Sequence, residues 1–250
     1  AVLDGINDII KQLDDKQIYE NFYKELEFGT GGIRGEIGAG TNAMNVYTVG
    51  RATQGLAEVM KKKGNVSAAI GYDSRHKSEL FAKHSAAILA ANGIKVYLYK
   101  QLMPTPCVSF AVRELKCACG IMITASHNPG KYNGYKVFGD DGCQLNLEDS
   151  KAVMDVILKT DVKLVDFHQA LNNNTVEYIS ETVIDKFYVN VLSRQVNKGL
   201  INQSGLNLVY TPLNGAGNKP VRKALSLAGI ENISVVAEQE NPDGDFPTCP

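Results

Sequence analysis

Between residues 66 and 145 the sequence alternates short β-rich apolar runs with stretches of helical period, and no other feature restricts the fold as strongly. Such alternation belongs to crossover units around a mainly parallel sheet. Residues 66–72 read as a first strand. Residues 78–92 then carry Leu80, Phe81, His84, Ala87, Ile88 and Ala91 at helical spacing, with Ser78 as N-cap and Gly93 as the stop. A strand at 94–99, a helix opened by Thr105-Pro106 and running to about Lys116, and a strand at 118–124 complete a βαβαβ series. Residues 135–138 and 143–145 flank Gly139-Asp140-Asp141-Gly142, a tight-hairpin signal. Helical patterns at 42–63 and 147–159 bracket this block.

Further along, residues 161–175, with Asn172-Asn173-Asn174, lose periodicity and read as a connection between domains. A helix at 180–197 leads into a strand at 206–210, a helix at 218–227 stopped by Gly229, and a strand at 233–237. One βαβ unit leaves a sheet with open edges, and residues 241–247 are loop chemistry. The expectation is an α/β protein in which a mixed, mainly parallel sheet is sandwiched by helices in a domain spanning 1–178. An incomplete second α/β domain follows over 179–250.

Charge narrows the function. Lys plus Arg number 26 against 27 Asp plus Glu, a net charge of −1, which lacks the basic excess of a general nucleic-acid binder. No apolar run is long enough for a membrane span, and no basic region followed by an apolar stretch opens the chain, so the expected location is cytoplasmic. The five cysteines have neither zinc nor thioredoxin spacing and read as buried free thiols. Lys61-Lys62-Lys63 before Gly64 reads as a solvated helix end.

Ligands of parallel sheets bind beyond the carboxyl ends of the strands, so the loops at 71–75, 124–134 and 211–217 are the ones to inspect. The middle one sets Ser126 among His127, Lys131 and Lys136, with turn residues between. It lacks the Gly-x-Ser-x-Gly of a hydrolase elbow and instead surrounds a hydroxyl with the cations and donors a phosphoserine needs. A plain polar loop with solvated lysines is the competing reading. Near the N-terminus, residues 28–35 combine glycine backbone with Arg34, a guanidinium suited to bidentate phosphate contact, while Gly38 to Ala43 match a dinucleotide pattern without a preceding strand. His84 reads as packed, His76 and His168 as surface positions. Asp243 and Asp245 read as turn chemistry.

Thr124-Ala125-Ser126-His127-Asn128-Pro129, followed by Tyr132-Asn133-Gly134-Tyr135-Lys136, resembles the phosphoserine signature of the α-D-phosphohexomutases, the phosphoglucomutase and phosphomannomutase family. The stretches 28–35, 71–75, 140–142 and 211–215 are similar to other segments of that family, and the text from Gly31 to Asn42 is most similar to its bacterial phosphoglucomutase and mammalian phosphopentomutase-like branch.

The resemblance implies interconversion of hexose 1-phosphate and hexose 6-phosphate through a phosphorylated Ser126 and a hexose 1,6-bisphosphate. Ser126 is then both carrier and metal ligand. Lys136 takes the acid and base role with Arg34 as the neighbouring positive charge, and His127 orients the phosphoserine or its sugar partner. Thr30, Gly31, Arg34, Arg75, Asn128 and Lys131 are the implied phosphate-binding or substrate-binding residues. The implied cofactors are Mg²⁺ and glucose 1,6-bisphosphate, and the implied partners are a hexose phosphate and further domains of the same chain. The family's Asp-x-Asp-x-Asp-Arg magnesium loop does not occur in the sequence, so the remaining metal ligands are expected beyond Pro250 and the chain alone is expected to be inactive. Two rivals remain: a non-catalytic sugar-phosphate binding module, and a phosphatase that releases phosphate to water.

Overall fold

Six strands form the central sheet of the computed structural model: β1 (Gly32–Glu36), β2 (Ser67–Tyr72), β3 (Lys95–Leu98), β4 (Cys119–Ile123), β5 (Tyr132–Phe138) and β6 (Val176–Tyr178). Their spatial order is β1-β5-β4-β2-β3-β6. Among the described strands of this sheet only β5 runs against the rest, being antiparallel to both β4 and β1. The structure describes residues 5–29, 31–62, 64, 67–157, 159–195, 197, 199–201 and 205–249. Thr30, Lys63, Val66 and Pro250 lie outside them.

The two innermost strands are almost wholly apolar, Ala68 to Tyr72 in β2 and Cys119 to Ile123 in β4, because both faces are covered. On one face pack α3 (Val46–Lys62), α4 (Ser78–Ala91), α6 (Leu147–Ile157) and the short α7 (Phe167–Asn172), burying Ile70, Phe81, Leu89, Ile121, Ile123, Tyr135 and Val137. The other face takes α5 (Thr105–Glu114), whose Val108 and Val112 cluster with Met122 and Phe138 of the sheet, and α8 (Glu181–Gln195) beside it. Each of these large side chains stabilises the layered core by about 1.5–3 kcal/mol. Beyond α8, β7 (Asn207–Tyr210) and β8 (Asn232–Val235) form a two-stranded parallel sheet linked by α9 (Asn218–Ala228), and α10 (Ala237–Glu240) follows. The architecture is therefore the expected mixed, mainly parallel α/β sheet between helices, with a smaller α/β unit after it.

Several local expectations need correction. Residues 161–175 are not a free connection: they contain α7, which packs on α4, and lead directly into β6, an edge strand beside β3. Their periodicity is weak because both elements are short. Ser78 is the first residue of α4 rather than its cap. The cap position is Lys77, at φ 63°, and the Ser78 hydroxyl serves elsewhere. Pro104 caps α5, which moves Thr105 inside the helix. The stretch 143–145 forms a bridge to Phe138 rather than a strand. The wider hairpin is β4–β5, whose connection is the Ser126 loop. β1 was hidden in the glycine-rich text around Arg34. Cys107, Cys117 and Cys119 are buried, with the Cys107 thiol pushed up to about 12 by desolvation, but Cys143 is exposed and Cys249 half-buried.

Candidate active site

The parallel strands end at one edge of the sheet, and there the loop from Thr124 to Lys131 turns between β4 and β5. Ser126 and His127 stand exposed at its tip. Ser126 sits at φ 58°, in the left-handed region that L-residues other than glycine seldom occupy. Such a backbone persists only when its surroundings over-determine it.

Arg75 supplies most of that constraint. It follows β2, is 4% exposed, and runs its guanidinium under the loop. Nη1 donates to the carbonyls of Pro129 and Tyr132, both at 3.0 Å, and Nη2 to those of Ser126 at 3.0 Å and Asn128 at 2.5 Å. Its Nε lies 3.5 Å from Asp73 Oδ2, an ion-pair contact without a hydrogen bond. Arg75 is thus committed to carbonyls of its own chain, where it shapes the loop.

Asp73 holds this arrangement from below. Its Oδ1 accepts from the Arg75 amide at 3.0 Å and from the Ser78 hydroxyl at 2.8 Å. Asn133, fully buried on β5, donates to Ser78 Oγ and to the His76 carbonyl, both at 2.9 Å. Thr124 Oγ1 accepts from the Ser126 amide at 2.9 Å. Burial raises the Asp73 carboxyl above the ordinary carboxylate range, against the opposing effect of Thr124, the Arg75 amide, Ser78 and the Arg75 charge. Asp73, Thr124 and Asn133 had no individual role in the sequence reading, and Ser78 only that of a helix cap. One signal was available: Asn133 precedes Tyr135 and Val137 at alternate positions of a strand, so a polar group had to lie on the buried face.

The expected site residues divide into three groups. Arg34, on β1, is opposite Gly134 in the register and its Nη1 donates to Asn128 Oδ1 at 2.9 Å, so Arg34 and Asn128 meet at the loop. Lys136 is opposite Gly32 and Met122, two residues along β5 from Gly134, and therefore on the same sheet face as Arg34 at about 7 Å. His127 Nδ1 lies 3.4 Å from Ser126 Oγ. Arg34 and Asn128 thus meet at the loop of Ser126 and His127, and Lys136 lies on the sheet face of Arg34. Gly134 makes that approach feasible, because a Cβ there would stand 2.6 Å from the Thr124 carbonyl oxygen and 3.1 Å from that of Ile33.

Lys131 is held differently. Its Nζ pairs with Glu36 Oε1 at 2.5 Å, which raises the lysine and lowers the carboxylate. Gly31 does not reach the loop. Its amide donates to Ser150 Oγ at 3.1 Å and its carbonyl accepts from Val137, three residues or about 10 Å back along the strand from Arg34. That direction of β1 turns the Gly31 backbone away from the Ser126 loop. Thr30 lies outside the described residues.

A magnesium ion needs several oxygen ligands. Around Ser126 the side chains are His127, Asn128 and Arg34, and no group of three or more His, Cys, Asp or Glu that could hold a metal occurs among the described residues. The described residues do not make a magnesium site by themselves. Asp243 and Asp245 form a turn, Asp243 Oδ1 accepting from the Asp245 amide at 2.9 Å. In the 211–217 loop Asn214 is buried and its Oδ1 accepts from Thr248 Oγ1 at 2.8 Å. No helix among the described residues is long and apolar enough to cross a membrane.

The model for phosphoglucomutase/phosphomannomutase α/β/α domain I matches residues 25–163, which contain the whole Ser126 loop and its Arg75 support. The chain belongs to the phosphoglucomutase/phosphomannomutase family. The family's α/β/α domain II matches residues 186–250. A phosphoglucomutase of Staphylococcus haemolyticus is 42% identical over 231 residues, 91% of this chain and 42% of its own length. A probable phosphoribomutase of Schizosaccharomyces pombe is 35% identical over 254 residues, 97% of this chain and 43% of its own. A putative phosphomannomutase from Thermus thermophilus superposes with TM-score 0.76 at 27% identity, over 89% of this chain and 48% of its own. The chain spans less than half the length of these family members.

Proposed function

We propose that this chain carries the phosphoserine half of a phosphosugar mutase, with residues 1–178 as the phosphoryl-carrying domain and 179–250 as the first part of the next. The observation that carries the reading is Ser126: an exposed hydroxyl on a left-handed backbone, pinned by the Arg75 guanidinium and flanked by His127, Asn128 and Arg34. A built loop of this kind suits group transfer, which depends on positioning and charge stabilisation.

In the first half-reaction the bond from phosphorus to Ser126 Oγ breaks and a bond to a free hydroxyl of a hexose phosphate forms. The proton of that hydroxyl passes to Lys136 Nζ. The product is a hexose 1,6-bisphosphate. In the second half-reaction its other phosphoryl group returns to Ser126 Oγ, and Lys136 gives its proton to the departing sugar oxygen. Arg34 offsets negative charge on the transferring group from its place beside Asn128, and His127 orients the serine oxygen. Supporting residues from the rest of a longer protein belong to this reading, since the chain covers 42–43% of the relatives named above.

Phosphopeptide mass spectrometry on the full-length protein tests it. Glucose 1,6-bisphosphate should charge Ser126 with one phosphoryl group, and glucose 6-phosphate should remove it. An uncharged Ser126 overturns the carrier role.

A further inference from the structure

The guanidinium of Arg75 has a second neighbour, and it comes from the other α/β unit. The ring of Phe246 lies over Arg75, 5.0 Å from Cζ to the ring centroid, an attractive arrangement for a cation on an aromatic face. Phe246 holds this place at φ 49°, a backbone conformation rare for a bulky side chain. Two strained residues, Ser126 and Phe246, therefore both contact one guanidinium.

The adjoining contacts show a fitted joint. Asp245 Oδ1 lies 2.7 Å from His76 Nε2, on the residue next to Arg75. A Cβ on Gly130 would stand 2.8 Å from the Gly244 carbonyl oxygen, and one on Gly244 would stand 2.8 Å from the His76 amide nitrogen. On its other side the segment belongs to the second unit: the Asp243 amide donates to the Asn214 carbonyl at 2.9 Å, and Asn214 Nδ2 to the Asn241 carbonyl at 3.0 Å.

We propose that Phe246 is a positioning residue for Ser126: by covering the Arg75 guanidinium it keeps that group on the loop carbonyls, so that docking of the second unit sets the shape of the loop that carries the serine. The proposal deepens the phosphoserine reading above and rests on it. Its ring works through Arg75 and touches no reacting atom.

The test uses full-length protein with Phe246→Leu, which keeps apolar bulk and loses the aromatic face, and Phe246→Tyr, which keeps both. Two quantities are read: amide hydrogen exchange in the peptide covering residues 126–132, and the rate at which charged Ser126 passes its phosphoryl group to glucose 6-phosphate. Phe246→Leu should speed exchange in that peptide and slow transfer about five- to tenfold, while Phe246→Tyr restores both. Unchanged exchange and transfer in Phe246→Leu, with wild type charged normally at Ser126, overturns the positioning role and leaves the carrier reading standing. A wild-type protein that cannot be charged at Ser126 overturns both. Should Phe246→Leu fold poorly, Phe246→Met gives the same comparison.

Discussion

Arg75 Nη2 lies 3.0 Å from the carbonyl oxygen of Ser126, so the residue with the exposed hydroxyl is fixed through its backbone by a buried cation. The hydroxyl itself remains at the surface, 3.4 Å from the nearest imidazole nitrogen of His127. Backbone fixation with side-chain freedom is what a group carrier requires, because its oxygen must meet a ligand without losing its place.

Replacing that guanidinium should be costly. Arg75→Met leaves four loop carbonyls without their shared donor and Asp73 without its ion partner. Breaking a buried charge arrangement on one side costs about 3–5 kcal/mol. Urea unfolding should show that loss, with Arg75→Lys in between, since an ammonium cannot span both pairs of carbonyls. Equal stability of wild type and Arg75→Met would contradict the account.

The strain at Ser126 separates two substitutions that both remove its oxygen. Ser126→Gly accepts φ 58° without penalty, whereas Ser126→Ala keeps it. The glycine variant should be the more stable of the two by about 1 kcal/mol. Neither should take up a phosphoryl group. Denaturation midpoints and intact-mass measurements check both points.

Lys136 is assigned the proton, and that assignment has its own signature. Lys136→Gln keeps length and polarity but cannot accept a proton, so phosphoryl transfer from Ser126 should fall by about 10²–10⁴-fold. The melting temperature should stay near wild type, because the position is only half-buried. A variant that transfers normally would move the acid and base role elsewhere.

Asp73 predicts a pH effect with a definite sign. Its pKa is raised by burial, so the folded protein holds the proton more tightly than the unfolded chain. The stabilising contribution is complete below the ordinary carboxylate pKa of about 3.9 and is lost as pH rises through the raised value. Relative to Asp73→Asn, which does not titrate, wild type should therefore lose stability as pH rises across that window. Unfolding midpoints of the two proteins at a series of pH values measure the difference, and a pH-independent difference would refute the burial effect.

Much of the fold was legible from residue order. The apolar run at 119–123, the helical spacing from Leu80 to Ala91 and the glycines at 93 and 229 are local signals, and β4, α4 and α9 follow them. The loop that carries Ser126 and His127 and the strand that carries Lys136 were legible too, because their residues follow one another along the chain. Other features had no local signal. β1 is a strand only because β5 offers it an edge, and its direction carries Arg34 to the loop while leaving Gly31 behind. Residues 161–178 have too little periodicity to announce α7 and β6, which exist by packing on α4 and β3.

The sequence by itself determined strongly patterned elements such as β4, α4 and α9 and the order of residues that sets one hydroxyl among cations, since both depend on neighbours a few residues apart. Tertiary structure alone decided the use of Arg75. It stands 51 residues from Ser126 in the chain and 171 from Phe246. Only the parallel pairing of β2 with β4 and the docking of the second unit bring the three together, and a guanidinium desolvated between them has no choice but to take the carbonyls it meets.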